Sequence, residues 1–146
     1  MTQVLFVCTG NTCRSPMAEA LLNQQKLPGV AVKSAGIYAT NGQSASRYAI
    51  EVLNDHNIYH QHSSSILTEQ DVEWATYILT MTNSHKAIIE DLYPQHKEKV
   101  FTLKEYVQGN EGHDVLDPFG GTKRHYEETF AELANLVMLL SKKMKG

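Results

Sequence analysis

Cys8-Thr9-Gly10-Asn11-Thr12-Cys13-Arg14-Ser15-Pro16 gathers a thiol, a guanidinium and a hydroxyl in one short stretch, directly after the apolar run Val4-Leu5-Phe6-Val7. A cysteine thiolate is a nucleophile, and an arginine offers a planar fork of donors that matches two oxygens of one phosphoryl group. Together they suit attack by Cys8 on a bound phosphoryl group. A thiolate needs electropositive surroundings, which a tight loop leading into a helix supplies. Its backbone N–H groups form a concave nest, and the helix dipole adds positive potential at the mouth.

The elements that would position these groups can be read around them. Gln3 to Val7 is short, apolar and rich in β-branched and aromatic residues, so it reads as a buried strand of a parallel sheet. Gly10 and Asn11 tolerate the dihedrals of a tight loop. Ser15 is expected as an N-cap and Pro16 as the first helical residue, followed by the periodic Met17, Ala18, Ala20, Leu21 and Leu22.

The remainder alternates strand and helix signals. Leu27-Pro28-Gly29 reads as a turn, Val30–Gly36 as a second strand, and 37–44 as a surface loop at the mouth of the site, with Tyr38 its candidate contact residue. A helix is expected from Ser46 to near Asn57, and a capped short helix from Thr68 that includes Val72 and a core Trp74. Tyr77–Met81 reads as a third strand. Thr82 or Asn83 then caps a helix ended by Pro94, and Lys97–Thr102 suggests a fourth, short strand.

Gln108 to Gly121 holds four glycines and Asp117-Pro118, a long connection that draws attention to Asp114 and Asp117. Beyond it Tyr126, Phe130, Leu133, Leu136, Val137 and Leu140 recur at helical spacing. The pattern predicts a single α/β domain: a four-stranded parallel sheet with helices on both faces, Rossmann-like, with ligands bound beyond the C-terminal strand ends where Cys8 lies.

Composition narrows the function classes. The chain has 146 residues, 42% of them hydrophobic and 20% charged, as in a globular domain with one core. Its formal charge of −3 argues against nucleic-acid partners that rely on phosphate neutralisation, and no apolar stretch is long enough for a membrane span or signal peptide. Two cysteines and no secretory signal suggest a reducing, cytoplasmic setting.

Cys8 and Cys13 share the loop. Either they form a reversible disulfide that shields Cys8 from over-oxidation, or Cys13 merely packs. The histidines do not follow zinc-finger spacing. His60 and His62 are expected on opposite faces of an extended segment, with His56 and His60 at the surface, so neither a metal nor any other cofactor is expected.

Cys8 to Ser15 matches the Cys-x5-Arg-Ser signature of the low-molecular-weight protein tyrosine phosphatases. With Ser34-Ala35-Gly36, Asp117-Pro118 and the C-terminal helix, the chain resembles that family over nearly its whole length. The resemblance implies one phosphatase domain over 1–146 with the phosphatase I-like fold, acting as a monomer on phosphorylated proteins. It implies a cysteinyl-phosphate intermediate on Cys8, oxygens held by Arg14 and by the loop Thr9, Gly10, Asn11, Thr12 and Cys13, and Asp117 as general acid, with Asp114 a fallback. Ser15 would donate to the Cys8 thiolate, Asn11 and Ser34 would hold the loop in shape, and His62 would brace it.

Within the family, Thr12 stands where tyrosine-directed members carry an aliphatic residue. Phe119-Gly120-Gly121 replaces an aromatic pair after Asp-Pro, so the chain resembles the protein-arginine phosphatase branch most closely. A hydroxyl at Thr12 can satisfy a guanidinium that a hydrocarbon would leave unpaired, while Tyr38 and Phe119 flank its plane and Asp117 pairs with its charge. Tyr38 departs from the phenylalanine more familiar in that branch. Phosphotyrosine is the alternative substrate. An arsenate reductase on the same fold would need further relay cysteines, and a non-catalytic phosphate-binding or redox-sensing module would not need Cys8, Arg14 and Asp117 together.

Overall fold

A computed structural model describes residues 1–109 and 114–145. Residues 110–113 of the glycine-rich connection and Gly146 therefore lie outside the described residues. The elements in order are β1 (Thr2–Cys8), α1 (Arg14–Gln24), β2 (Val30–Gly36), α2 (Arg47–Asp55), α3 (Glu69–Trp74), β3 (Tyr77–Thr80), α4 (Asn83–Leu92), a 3-10 turn (Pro94–Lys99), β4 (Val100–Thr102), α5 (Leu103–Gln108) and α6 (Lys123–Lys145). The four strands form one parallel sheet in the order β2-β1-β3-β4.

β1 is central, so both its faces are covered. Val4, Phe6 and Cys8 join a core with residues of α1, α2, α5 and α6, while Leu5 and Val7 join one with Val72 of α3 and Ile89 of α4. A strand buried on both faces has no polar side to display, which is why Val4–Val7 is continuously apolar. On α6, Tyr126, Phe130, Leu133, Leu136, Val137 and Leu140 are buried. Burying that stripe against α1, α2 and α5 closes one layer over the sheet.

Three local expectations are corrected. Ser15 is not an N-cap: α1 starts at Arg14 with Cys13 before it and no side-chain cap, because the Ser15 hydroxyl is turned inward to Cys8 and Asn11. The fourth strand starts at Val100, since Pro94 opens a 3-10 turn that runs to Lys99. Immediately after it comes α5, whose signal was a Thr102/Glu105 capping box that follows a strand of three residues. Thr82 and Thr68 cap α4 and α3, and Trp74 is half-buried with Lys33 Nζ 4.4 Å from its ring centroid.

The sheet positions the loop after Cys8 through one close approach. Cys8 pairs with Gly36, and Ile37 N–H and Tyr38 N–H donate to the carbonyls of Cys8 (3.0 Å) and Thr9 (2.9 Å). A Cβ on Gly36 would lie 2.6 Å from Thr9 O and 2.8 Å from Asn11 N, both backbone atoms that cannot rotate away. Gly36→Ala should therefore lower stability by about 1–3 kcal/mol, the usual cost of forcing an extra carbon into a packed site. Urea unfolding checks this, and an unchanged midpoint would show that the loop can yield.

Candidate active site

Cys8, Thr9, Gly10, Thr12, Cys13 and Arg14 line a cavity of about 170 Å³, together with Asp117 and Phe119 from the segment before α6, while Asn11, expected among them, is buried and does not line it. Cys8 is buried, and its sulfur lies 2.9 Å from Ser15 Oγ. Among the described residues, the backbone N–H groups from Gly10 to Ser15 have no protein partner. Unpaired donors in a loop running into a helix N-terminus form an anion site. The cavity can hold a phosphoryl group against a thiol.

The loop's shape is fixed by Asn11, which is fully buried with a φ of 57°, in the left-handed region that Asn tolerates better than most residues. Its amide nitrogen donates to Ser15 Oγ (2.8 Å) and Ser34 Oγ (2.9 Å), and its Oδ1 accepts from Ser65 N–H (2.9 Å). Because the amide supplies both of those protons, each serine keeps its own hydroxyl hydrogen to donate elsewhere. Ser34 donates to Glu19 Oε1 at 2.6 Å, which leaves the Ser15 hydrogen for the Cys8 sulfur. The Asn11 carbonyl meets His62 Nε2 at 2.6 Å.

Arg14 is buried, and it bridges the loop to the opposite wall. Its Nη1 donates to the Val115 carbonyl at 3.1 Å and its Nη2 lies 3.5 Å from Asp117 Oδ2, while Nε is buried without a partner. Asp117 is half-exposed, and its Oδ1 accepts from Phe119 N–H at 3.0 Å. Asp114 does different work. Its carboxylate accepts from Asn83 N–H (2.8 Å) at the start of α4, and Val115 N–H donates to Met81 O (2.9 Å), so the segment leading to Asp117 is pinned to the sheet.

The remaining candidates divide. Thr12 lines the cavity, and its hydroxyl makes a 3.8 Å contact with Cys13 Sγ. Cys13 is a buried free thiol, 3.4 Å from both Ser46 Oγ and Tyr126 OH. Burial, with the neighbouring Cys13, pushes the Tyr126 phenol up to about 12, so it stays a neutral partner. Phe119 stands in the wall yet is 76% exposed; Tyr38 is 71% exposed and is not among the lining residues, so its contribution here is its backbone N–H to Thr9.

The histidine expectation is overturned. Residues 58–65 form no regular strand, so side chains two apart need not face opposite ways. The His60 and His62 rings stack at 6.0 Å and both face Glu19, with His62 buried and His60 nearly so. His56 is exposed and stacks on Phe130 at 4.3 Å.

Sequence reasoning missed His85 and Glu19. His85, in the first turn of α4, is buried with Nε2 2.9 Å from Thr9 Oγ1; burial and the Arg14 charge push it down to about 4, so its ring is neutral. Its signal was position, the helix start just past the C-terminal end of β3. Glu19 lies one turn after Ser15 on α1, a carboxylate at i+4 in an otherwise apolar pattern. Burial favours its neutral form, but the nearby His60 and His62 rings and the Ser34 hydroxyl outweigh this and hold its carboxyl down at about 2.

Because Glu19 titrates lower in the folded chain than its ordinary 4.5, it stabilises the fold above pH 4.5, and that contribution is lost as the pH falls from 4.5 towards 2. The shift corresponds to about 3 kcal/mol. Glu19→Gln should remove this acid-sensitive component, which urea midpoints measured across that window will show. Parallel midpoint curves for the two proteins would contradict it.

Against this geometry the likenesses to known proteins can be set. The sequence matches the low molecular weight phosphotyrosine protein phosphatase family over residues 3–146. It is 48% identical over 143 residues, 98% of this chain and 96% of the relative, to the protein-arginine-phosphatase of Geobacillus stearothermophilus. The solved YwlE arginine phosphatase from Geobacillus stearothermophilus superposes with a TM-score of 0.98 at 47% identity, covering 99% of this chain and 94% of that one. A second arginine phosphatase structure, a cysteine-to-serine mutant with a phosphorylated active-site serine, superposes with a TM-score of 0.94 at 46% identity, covering 99% and 96%. The match runs through the cysteine loop, the paired arginine and aspartate and the final helix, and this chain belongs to the low-molecular-weight phosphotyrosine protein phosphatase family.

Proposed function

We propose that the chain hydrolyses phosphoarginine in proteins through a cysteinyl-phosphate intermediate. The observation that carries this reading is that Thr12 shares the wall of one small cavity with Cys8, Arg14 and Asp117, presenting a hydroxyl held by one long contact to a neighbouring sulfur. A hydroxyl and a half-exposed carboxylate suit a substrate whose leaving group is a polar, planar guanidinium. The names of the similar arginine phosphatases support the same substrate.

In the first step the Cys8 sulfur attacks phosphorus. The S–P bond forms and the P–N bond breaks, while Arg14 and the loop amides take the equatorial oxygens. Asp117 gives its proton to the departing guanidine nitrogen. In the second step Asp117, now a carboxylate, takes a proton from water as that water attacks phosphorus. The S–P bond breaks, inorganic phosphate leaves, and the Cys8 thiolate returns, steadied by the Ser15 hydroxyl. Asn11, Ser34 and His62 hold the loop for both steps.

Among the described residues no helix is long and apolar enough to cross a membrane. Both cysteines are free thiols, which suits a reducing compartment, so the reading places a monomeric single-domain enzyme in the cytoplasm with phosphorylated proteins as partners.

Matched phosphoarginine and phosphotyrosine peptides test the substrate. The wild type should prefer phosphoarginine, and Thr12→Ile should move the kcat/KM ratio towards phosphotyrosine by roughly tenfold or more. Preference for phosphotyrosine in the wild type would make the chain a tyrosine-directed member instead. Asp117→Asn should lower kcat by about 10²- to 10⁴-fold, the usual worth of a positioned general acid, with a smaller loss for leaving groups that need no proton. An equal loss for every leaving group would remove Asp117 from that role.

A further inference from the structure

Glu19, His60 and His62 come together next to the phosphate loop, which His62 touches at the Asn11 carbonyl, and none of the three lines the catalytic cavity. One ligand atom from each lies within 4.8 Å of the others. Glu19 Oε1 is 3.5 Å from His60 Nε2 and 3.7 Å from His62 Nδ1. Four ligands at zinc bond lengths stand about 3.4 Å apart along a tetrahedral edge, so both distances are within a few tenths of an ångström of that spacing.

We propose that Glu19, His60 and His62 form a binding site for a divalent transition metal of the Zn²⁺ class, with two imidazole nitrogens and a carboxylate oxygen as ligands and the fourth position open. Two features beyond proximity carry this. His60 Nε2 is buried with no hydrogen-bond partner; its approach to Glu19 has the distance of an ion pair but not the direction of a hydrogen bond. A buried polar nitrogen left unpaired is costly, and a cation between it and the carboxylate removes that cost.

The second feature is the orientation of His62. The Asn11 carbonyl can only accept, so His62 Nε2 carries the proton and Nδ1 is turned towards Glu19. In the neutral ring, that Nδ1 is a lone pair facing a carboxylate. Fixing one ring nitrogen on a backbone carbonyl so that the other presents its lone pair is how proteins orient metal-binding histidines. Ser34 donates to Glu19 Oε1 and orients the carboxylate in the same way.

Access is open from two sides. A cleft of about 290 Å³ has Glu19 and His62 in its wall, and another of about 590 Å³ has His60 and His62. The bound ion would tie α1 to residues 60–62 and, through the His62–Asn11 bond, to the phosphate loop.

Thiols also bind zinc, so the test removes them. Metal-stripped protein carrying Cys8→Ser and Cys13→Ser is titrated with Zn²⁺ by calorimetry, alongside the same protein with His60→Gln. His60 has no hydrogen-bond partner to lose, and circular dichroism with thermal melting confirms that each variant is folded. The expected result is one Zn²⁺ per chain, weakened at least about tenfold by His60→Gln. No binding in the thiol-free protein, or equal binding after His60→Gln, would overturn the site and leave the two histidines packed against Glu19 without an ion. If the thiol-free protein does not fold, Co²⁺ spectra of the wild type decide. Visible bands without thiolate-to-metal charge transfer, lost in His60→Gln, support the site, and a charge-transfer band unchanged by His60→Gln overturns it.

Discussion

The buried side chain of Asn11 is the constraint on which the site depends. Its amide nitrogen has two hydrogens and gives one to each of two serines, and that dictates where the serines send theirs. The direction of every proton in the chain from Glu19 through Ser34, Asn11 and Ser15 to Cys8 then follows. A network satisfied at every member is rigid, and rigidity is what an oxyanion-stabilising loop needs: donors fixed before the charge develops cost nothing to reorganise when it does. The left-handed backbone at Asn11 turns the loop, and the same residue's side chain holds that turn in place.

Arg14 couples this loop to the second half of the site. One guanidinium reaches both the Val115 carbonyl and the Asp117 carboxylate, while Asp114 and Val115 anchor the segment to α4 and to Met81 at the end of β3. Cys8 and Asp117 lie more than a hundred residues apart in the sequence, and the Arg14 guanidinium between them sets their register. The parallel sheet supplies the frame, because the ends of β1, β2 and β3 converge where Cys8, Gly36 and Met81 receive these contacts.

The fold was legible because its signals are local and agree with one another. Val4–Val7 is apolar throughout since β1 is covered on both faces, and α6 declares its buried stripe by period alone. The Cys8–Ser15 loop and Asp117-Pro118 were legible through their spacing and family likeness. The misses share a physical cause. Ser15 looks like an N-cap because capping is what an isolated serine before proline would do, but a thiol seven residues earlier in sequence claims its hydroxyl. His60 and His62 would diverge in a strand, and they converge on Glu19 because that segment is irregular and packed against α1. His85 reaches Thr9 across 76 residues, and no local pattern encodes such a contact.

If Asn11 sets the loop in advance of substrate, its side chain matters to phosphate without touching it, since its polar atoms are already spent on Ser15, Ser34 and Ser65. The most direct measurement is the affinity of Asn11→Ala for inorganic phosphate by calorimetry, with folding verified by circular dichroism. The account predicts binding weaker by roughly tenfold or more, the equivalent of one broken buried network. Wild-type affinity in a folded Asn11→Ala protein would show that the loop holds its shape without the network, and would contradict the account at its centre.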